Sequence, residues 1–144
     1  MLLIAYGLFI ALVAYWPHPV DRSLRPRIDH VLAALHRRDL VEWFGYDQLE
    51  WSANLVFFIP LGLLLVLLLG GHRWWAAVMI SVMVSCAIEA GQLLFLPARY
   101  ATVEDLAANG LGALVGALFG ASFLAVVHAK RRSRDRRARA RLAS

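Results

Sequence analysis

From Trp74 to Ala98 run 25 residues with one ionisable side chain, Glu89, while Ser52 to Gly71 and Leu106 to Ala129 contain no Asp, Glu, Lys or Arg at all. A helix rises about 1.5 Å per residue, so about 20 residues cross the roughly 30 Å hydrocarbon core of a bilayer. Each of these three stretches is long enough. Met1 to Trp16 is a fourth apolar stretch, and a short one. With 60% hydrophobic residues and a mean hydropathy of +0.61, the chain lies outside the range of ordinary soluble domains. The expected fold is all-α: an integral membrane four-helix bundle with spans at about 1–16, 52–71, 74–98 and 106–129, forming one domain of residues 1–129.

Met1 to Trp16 has no basic segment before it and no A-x-A cleavage pattern, so it reads as a retained helix and not a secretory signal. An abrupt apolar start is also what a chain beginning upstream of Met1 would show. The single cysteine, Cys86, has no internal partner and reads as a small packing residue in the third span.

Eight of the fifteen basic residues lie in residues 130–144: Lys130, Arg131, Arg132, Arg134, Arg136, Arg137, Arg139 and Arg141. Arg73 adds a ninth in the Gly70-Gly71-His72-Arg73 turn. The positive-inside rule then places this tail, that turn and both chain termini in the cytoplasm of a multi-pass protein of the cytoplasmic membrane. Residues Pro17 to Trp51 and Arg99 to Asp105 fall outside. The tail lacks interleaved aromatic residues and adjoins a membrane helix, which favours anionic lipid over nucleic acid as its partner.

Between the first two spans, Ile28, Val31, Leu32 and Leu35 keep a helical period while Arg27, Asp29, His30, Arg37 and Arg38 take the other face. The spacing predicts an extracytoplasmic amphipathic helix lying on the outer surface, with Pro26 in its first turn. Trp43, Phe44, Tyr46 and Trp51 follow as interfacial anchors. Pro60 removes a backbone donor and crowds the carbonyl of Val56, so a bend is expected within the second span. Gly112, Gly116 and Gly120 recur every four residues and form a groove for a close neighbour, within the chain or in a homo-oligomer.

Ser81, Ser85, Glu89 and Gln92 follow at spacings of four, four and three, which puts them on one stripe of the third span. That stripe must face other helices. An ionisable group at such a position is a functional-site hypothesis by default. With the topology above, Asn54 opens the second span, Glu89 and Gln92 occupy the outer third of the third, and Asp105 and Asn109 open the fourth. Arg99 and Tyr100 lie on the short loop between the last two. Asn54, Glu89, Gln92, Arg99, Asp105 and Asn109 are therefore the candidate ligand-binding residues, with Glu89 and Asp105 as candidate catalytic groups. Asp105 also has a plain structural reading, as a negative charge at a helix N-terminus. His30 and His36 are six apart and fall on different faces, which does not suit zinc, and no glycine-rich phosphate loop or other cofactor motif is present.

Three ordered motifs carry a family resemblance: Asn54 to Gly62 (NLVFFIPLG), Ser85 to Gln92 (SCAIEAGQ), and Arg99 through Asp105 to Asn109-Gly110-Leu111-Gly112-Ala113 and Gly116. In this order, on successive spans, they resemble the VanZ-like membrane family. The resemblance implies a small multi-span protein of the cytoplasmic membrane and, for the founding member, reduced susceptibility to the glycopeptide teicoplanin. It implies no catalytic residues.

The reading that follows is a protein whose outward-facing polar pocket binds a lipid-linked or glycan-bearing component of the cell envelope, such as a cell-wall or polysaccharide precursor. An intramembrane enzyme acting on a lipid headgroup or polyprenyl-linked precursor, with Glu89 or Asp105 as general base, is the alternative. Proton-coupled transport through Glu89 ranks third.

Overall fold

The computed structural model describes residues 1–16, 24–37, 43–96 and 102–142. It is built from helices: α1 (Leu2–Ala14), α2 (Arg25–His36), α3 (Tyr46–Leu69), α4 (Trp74–Phe95) and α5 (Val103–Leu142), with a short 3-10 turn, Gly71–Arg73, before α4. Among the described residues, three stretches are long and apolar enough to cross a membrane: Tyr46–Leu69, Gly71–Phe95 and Val103–Arg136. The 13 residues of α1 measure about 20 Å, short of a full crossing.

Local chemistry sets the helix ends, and several differ from the bounds that hydropathy suggests. The first turn of α3 forms before the apolar run starts, because the Gly45 N–H donates to Gln48 Oε1 at 2.8 Å. At the other end Gly70 adopts φ 90°, a left-handed conformation that favours glycine, and turns the chain into α4. Pro97 disfavours a helical conformation at the residue before it, and α4 stops at Phe95. Residues 130–142 continue α5, which runs 40 residues. Nothing from Ala121 onward is Gly or Pro, and Ala, Arg and Lys are strong helix formers.

The tightest packing is between α3 and α5, which run parallel. A Cβ on Gly112 would meet the Leu55 carbonyl, one on Gly116 the Ile59 carbonyl, and one on Gly62 the Ala113 carbonyl. Only glycine lets the backbones approach this closely, the small-residue association that replaces hydrophobic driving force within lipid. The groove that the sequence offers to a neighbour is thus filled by α3 of the same chain. Phe58, Leu61, Leu65 and Val66 of α3 close the core with Ala77, Ala113, Ala117 and Ile10.

α1 packs on α3 and α4. Pro60 has no N–H for its helix, yet α3 continues through it, and the Tyr6 hydroxyl donates to the neighbouring Phe57 carbonyl at 2.7 Å. The last turn of α1 crosses α4 at Gly91, where a Cβ would collide with the Tyr15 ring. α2 lies against α3, with Ile28, Leu32 and Leu35 half-buried and the Arg25 guanidinium 3.8 Å from the centre of the Tyr46 ring. Cys86, expected among packing residues, is exposed on the outer face of α4.

Candidate functional site

The start of α3, the end of α4 and the start of α5 meet at one end of the bundle, and the polar side chains of the three spans collect there. On α4 the expected stripe faces inward: Ser81 and Ser85 are 0% exposed, Gln92 is 8% exposed, and Glu89 is half-buried. Ser81 returns its hydroxyl proton to the Ala77 carbonyl at 2.9 Å and stays within its own helix. Ser85 instead reaches α5, where Asn109 Nδ2 donates to its Oγ at 2.8 Å. Asn109 is 5% exposed, and its Oδ1 is buried with no donor among the described residues.

Asp105 is held from two directions. Asn54 Nδ2 on α3 donates to Oδ1, and the Thr102 hydroxyl donates to Oδ2 at 2.8 Å. Thr102 Oγ1 in turn accepts the Asp105 backbone N–H at 3.1 Å, which caps α5 and places the carboxylate at the positive end of the helix dipole. The structural reading of Asp105 and the functional one therefore coincide in one fixed side chain.

Register sets the level of Glu89. α4 and α5 run antiparallel, with Ser85 opposite Asn109 and Val82 beside Gly110. One turn along α4 from Ser85 is Glu89, and one turn back on α5 from Asn109 is Asp105, so the two carboxylates stand at one level. Gln92 does not join them. It turns toward α1 and donates to the Ala14 carbonyl at 2.9 Å, tying the end of that helix to α4.

Of the six candidate residues, the structure thus joins Asn54 to Asp105, sets Asn109 and Glu89 in the adjoining α4–α5 seam, and directs Gln92 to α1. Arg99, with Tyr100, lies outside the described residues. Thr102 and Ser85 are members of the site beyond these six. The spacing Thr102-x-x-Asp105 is a capping signature that signals the first of them. Among the described residues no three His, Cys, Asp or Glu side chains gather as a metal would require. A cleft of about 450 Å³ opens between α1 and α3 at Tyr6, Val56 and Pro60, and one of about 370 Å³ lies under α2; both are apolar and sit on another face of α3.

α3, α4 and α5 carry the motif residues Asn54 to Gly62, Ser85 to Gln92 and Asp105 to Gly116, and a family model described as VanZ/LLP1 matches residues 2–124. The chain belongs to the VanZ/LLP1 family. The VanZ/LLP1 match takes in α1 to α4 and the apolar part of α5, and ends before Lys130. Every candidate residue at the polar end falls inside it. Neither the comparison with curated proteins nor that with solved structures gives a match.

Proposed function

We propose that this VanZ/LLP1 member recognises a lipid-linked or glycan-bearing component of the cell envelope at the polar end formed by Asn54, Glu89, Arg99, Asp105 and Asn109, with Gln92 bracing it. In this reading the protein sits in the cytoplasmic membrane with both termini in the cytoplasm, as the basic end of α5 favours. α1 inserts as a short fourth helix, α2 rests on the outer surface, and the polar end faces outward. Anionic lipid holds the first basic turns beyond the membrane. Occupancy of the site changes the access of a glycopeptide such as teicoplanin to the cell wall.

The observation that carries this reading is the sheltered polar seam itself, with Asn54 on Asp105 and Asn109 on Ser85 between helices that otherwise pack through apolar and glycine contacts. A carboxylate within a membrane helix costs about 2.5 to 3.5 kcal/mol on insertion scales, whereas an interhelical hydrogen bond returns about 0.6 kcal/mol. Bundle stability alone does not favour Glu89 over Gln. A ligand that uses the charge supplies the missing term.

The equal level of Glu89 and Asp105 favours one second reading, an intramembrane enzyme in which one carboxyl group gives a proton and the other takes one. Lipid mass spectrometry on cells with and without the gene separates the two, since an enzyme changes the chemical identity of some species and a binder does not. For the binding reading, teicoplanin bound to cells carrying Asp105→Asn or Asn109→Ala returns to the level of cells lacking the gene. Unchanged binding in both variants would remove the polar end from the function.

A further inference from the structure

Each side-chain amide at the polar end directs its nitrogen at a protein acceptor. Asn54 Nδ2 donates to Asp105, Gln92 Nε2 to the Ala14 carbonyl, and Asn109 Nδ2 to Ser85. Acceptor capacity also remains. Asn109 Oδ1 is the clearest instance, a carbonyl oxygen in a side chain 5% exposed that receives no donor among the described residues. Buried acceptors in native proteins are satisfied, so an orphan at a suspected site points to a donor that arrives from elsewhere.

Charge points the same way. Asp105 stands one turn from Asn109 on α5, Glu89 one turn from its partner Ser85 on α4, and Glu50 one turn before Asn54 on α3. The cations described near this end, Arg25 and Arg27, belong to α2, where Arg25 is engaged with the Tyr46 ring. A phosphate would bring further acceptors to the described part of the site, which is already rich in them. A primary ammonium brings three donors and a positive charge.

Resting on the binding reading above, we infer that the group this seam takes from its ligand is a primary ammonium, donating to Asn109 Oδ1 and neutralised by the carboxylates of Asp105 and Glu89. The ammonium can belong to an aminophospholipid headgroup or to an amino sugar. Both present the same donors.

The test uses the purified full chain in detergent and native mass spectrometry with two matched pairs of probes. Phosphatidylethanolamine is compared with phosphatidylcholine of the same chains, which keeps the charge but has no N–H, and glucosamine is compared with N-acetylglucosamine. The amine member of at least one pair should be retained about tenfold more, the ratio expected of one charge-assisted hydrogen bond. Preference in the first pair assigns the lipid source, and in the second the sugar.

Asn109→Leu should abolish the preference. Asn109→Asp, which offers acceptors alone, should keep or raise it. Loss of the preference in Asn109→Asp would assign recognition to the amide N–H and overturn the proposal. So would equal retention within both pairs, or a preference that survives Asn109→Leu. If phosphatidic acid is instead the retained probe and Asn109→Leu releases it, the ammonium is wrong while the site stands. If no probe responds to either variant, the site reading falls with it.

Discussion

The two halves of the α3–α5 contact solve the same problem by opposite means. Toward Gly112, Gly116 and Gly62 the helices touch backbone to backbone, with no polar side chain between them. Toward Asn54 and Asp105 they meet through an amide and a carboxylate, with Asn109 and Ser85 extending that seam to α4. In lipid the first kind of contact is sufficient to hold helices together, through van der Waals packing of small residues. The second adds modest association and carries the cost of placing charge. The glycine half explains why the bundle exists, and the polar half has to be explained by what it does.

Substitution separates the two most sharply at Gly116. A leucine there would drive into the Ile59 carbonyl, and Gly116→Leu should cost about 3 kcal/mol or prevent folding, read as the loss of a cooperative unfolding transition in detergent. Asp105→Ala comes next, because it removes the Asn54 and Thr102 contacts together. About 2 kcal/mol is expected in the same transition, with Asn54→Ala costing less, since water reaches the end of the helix. Tyr6→Phe leaves the ring in place and deletes the bond to the Phe57 carbonyl, for an expected loss of about 0.6 kcal/mol. The smallest effect is expected at the far end of α5. Truncation after Ala129 should leave the unfolding transition within about 0.5 kcal/mol, yet change the ratio of orientations detected by cysteine labelling of inserted protein. A larger loss in Asp105→Ala than in Gly116→Leu would mean that the polar half, and not the glycine half, builds the bundle.

The three helices long and apolar enough to cross a membrane were legible because uncharged runs of such length have few other fates. The polar stripe of α4 was legible because a spacing of four, four and three fixes a helix face. A face does not name its neighbour, however. Nothing in the stripe distinguishes Ser85, which meets α5, from Gln92, which meets α1, since that depends on where α1 ends and how Gly91 admits Tyr15. Composition also hid the continuity of α5. Charge marks residues 130–144 as different from a membrane helix, but the backbone responds to helix propensity, which stays high across Ala129 and Lys130. Thr102 shows the reverse case, a capping signal present in four residues and overshadowed by the hydropathy boundary at Leu106.

Glu89→Gln tests the division between the halves most directly, because it replaces the carboxyl group of the seam with an amide and leaves shape and hydrogen-bonding reach nearly intact. The measurement is teicoplanin bound to cells expressing the variant, at protein levels and unfolding transitions matched to the unsubstituted chain. A bundle at least as stable is expected, with antibiotic binding restored to that of cells lacking the gene. A variant that folds equally well and protects as fully as the original would show that the carboxylate only ties helices together.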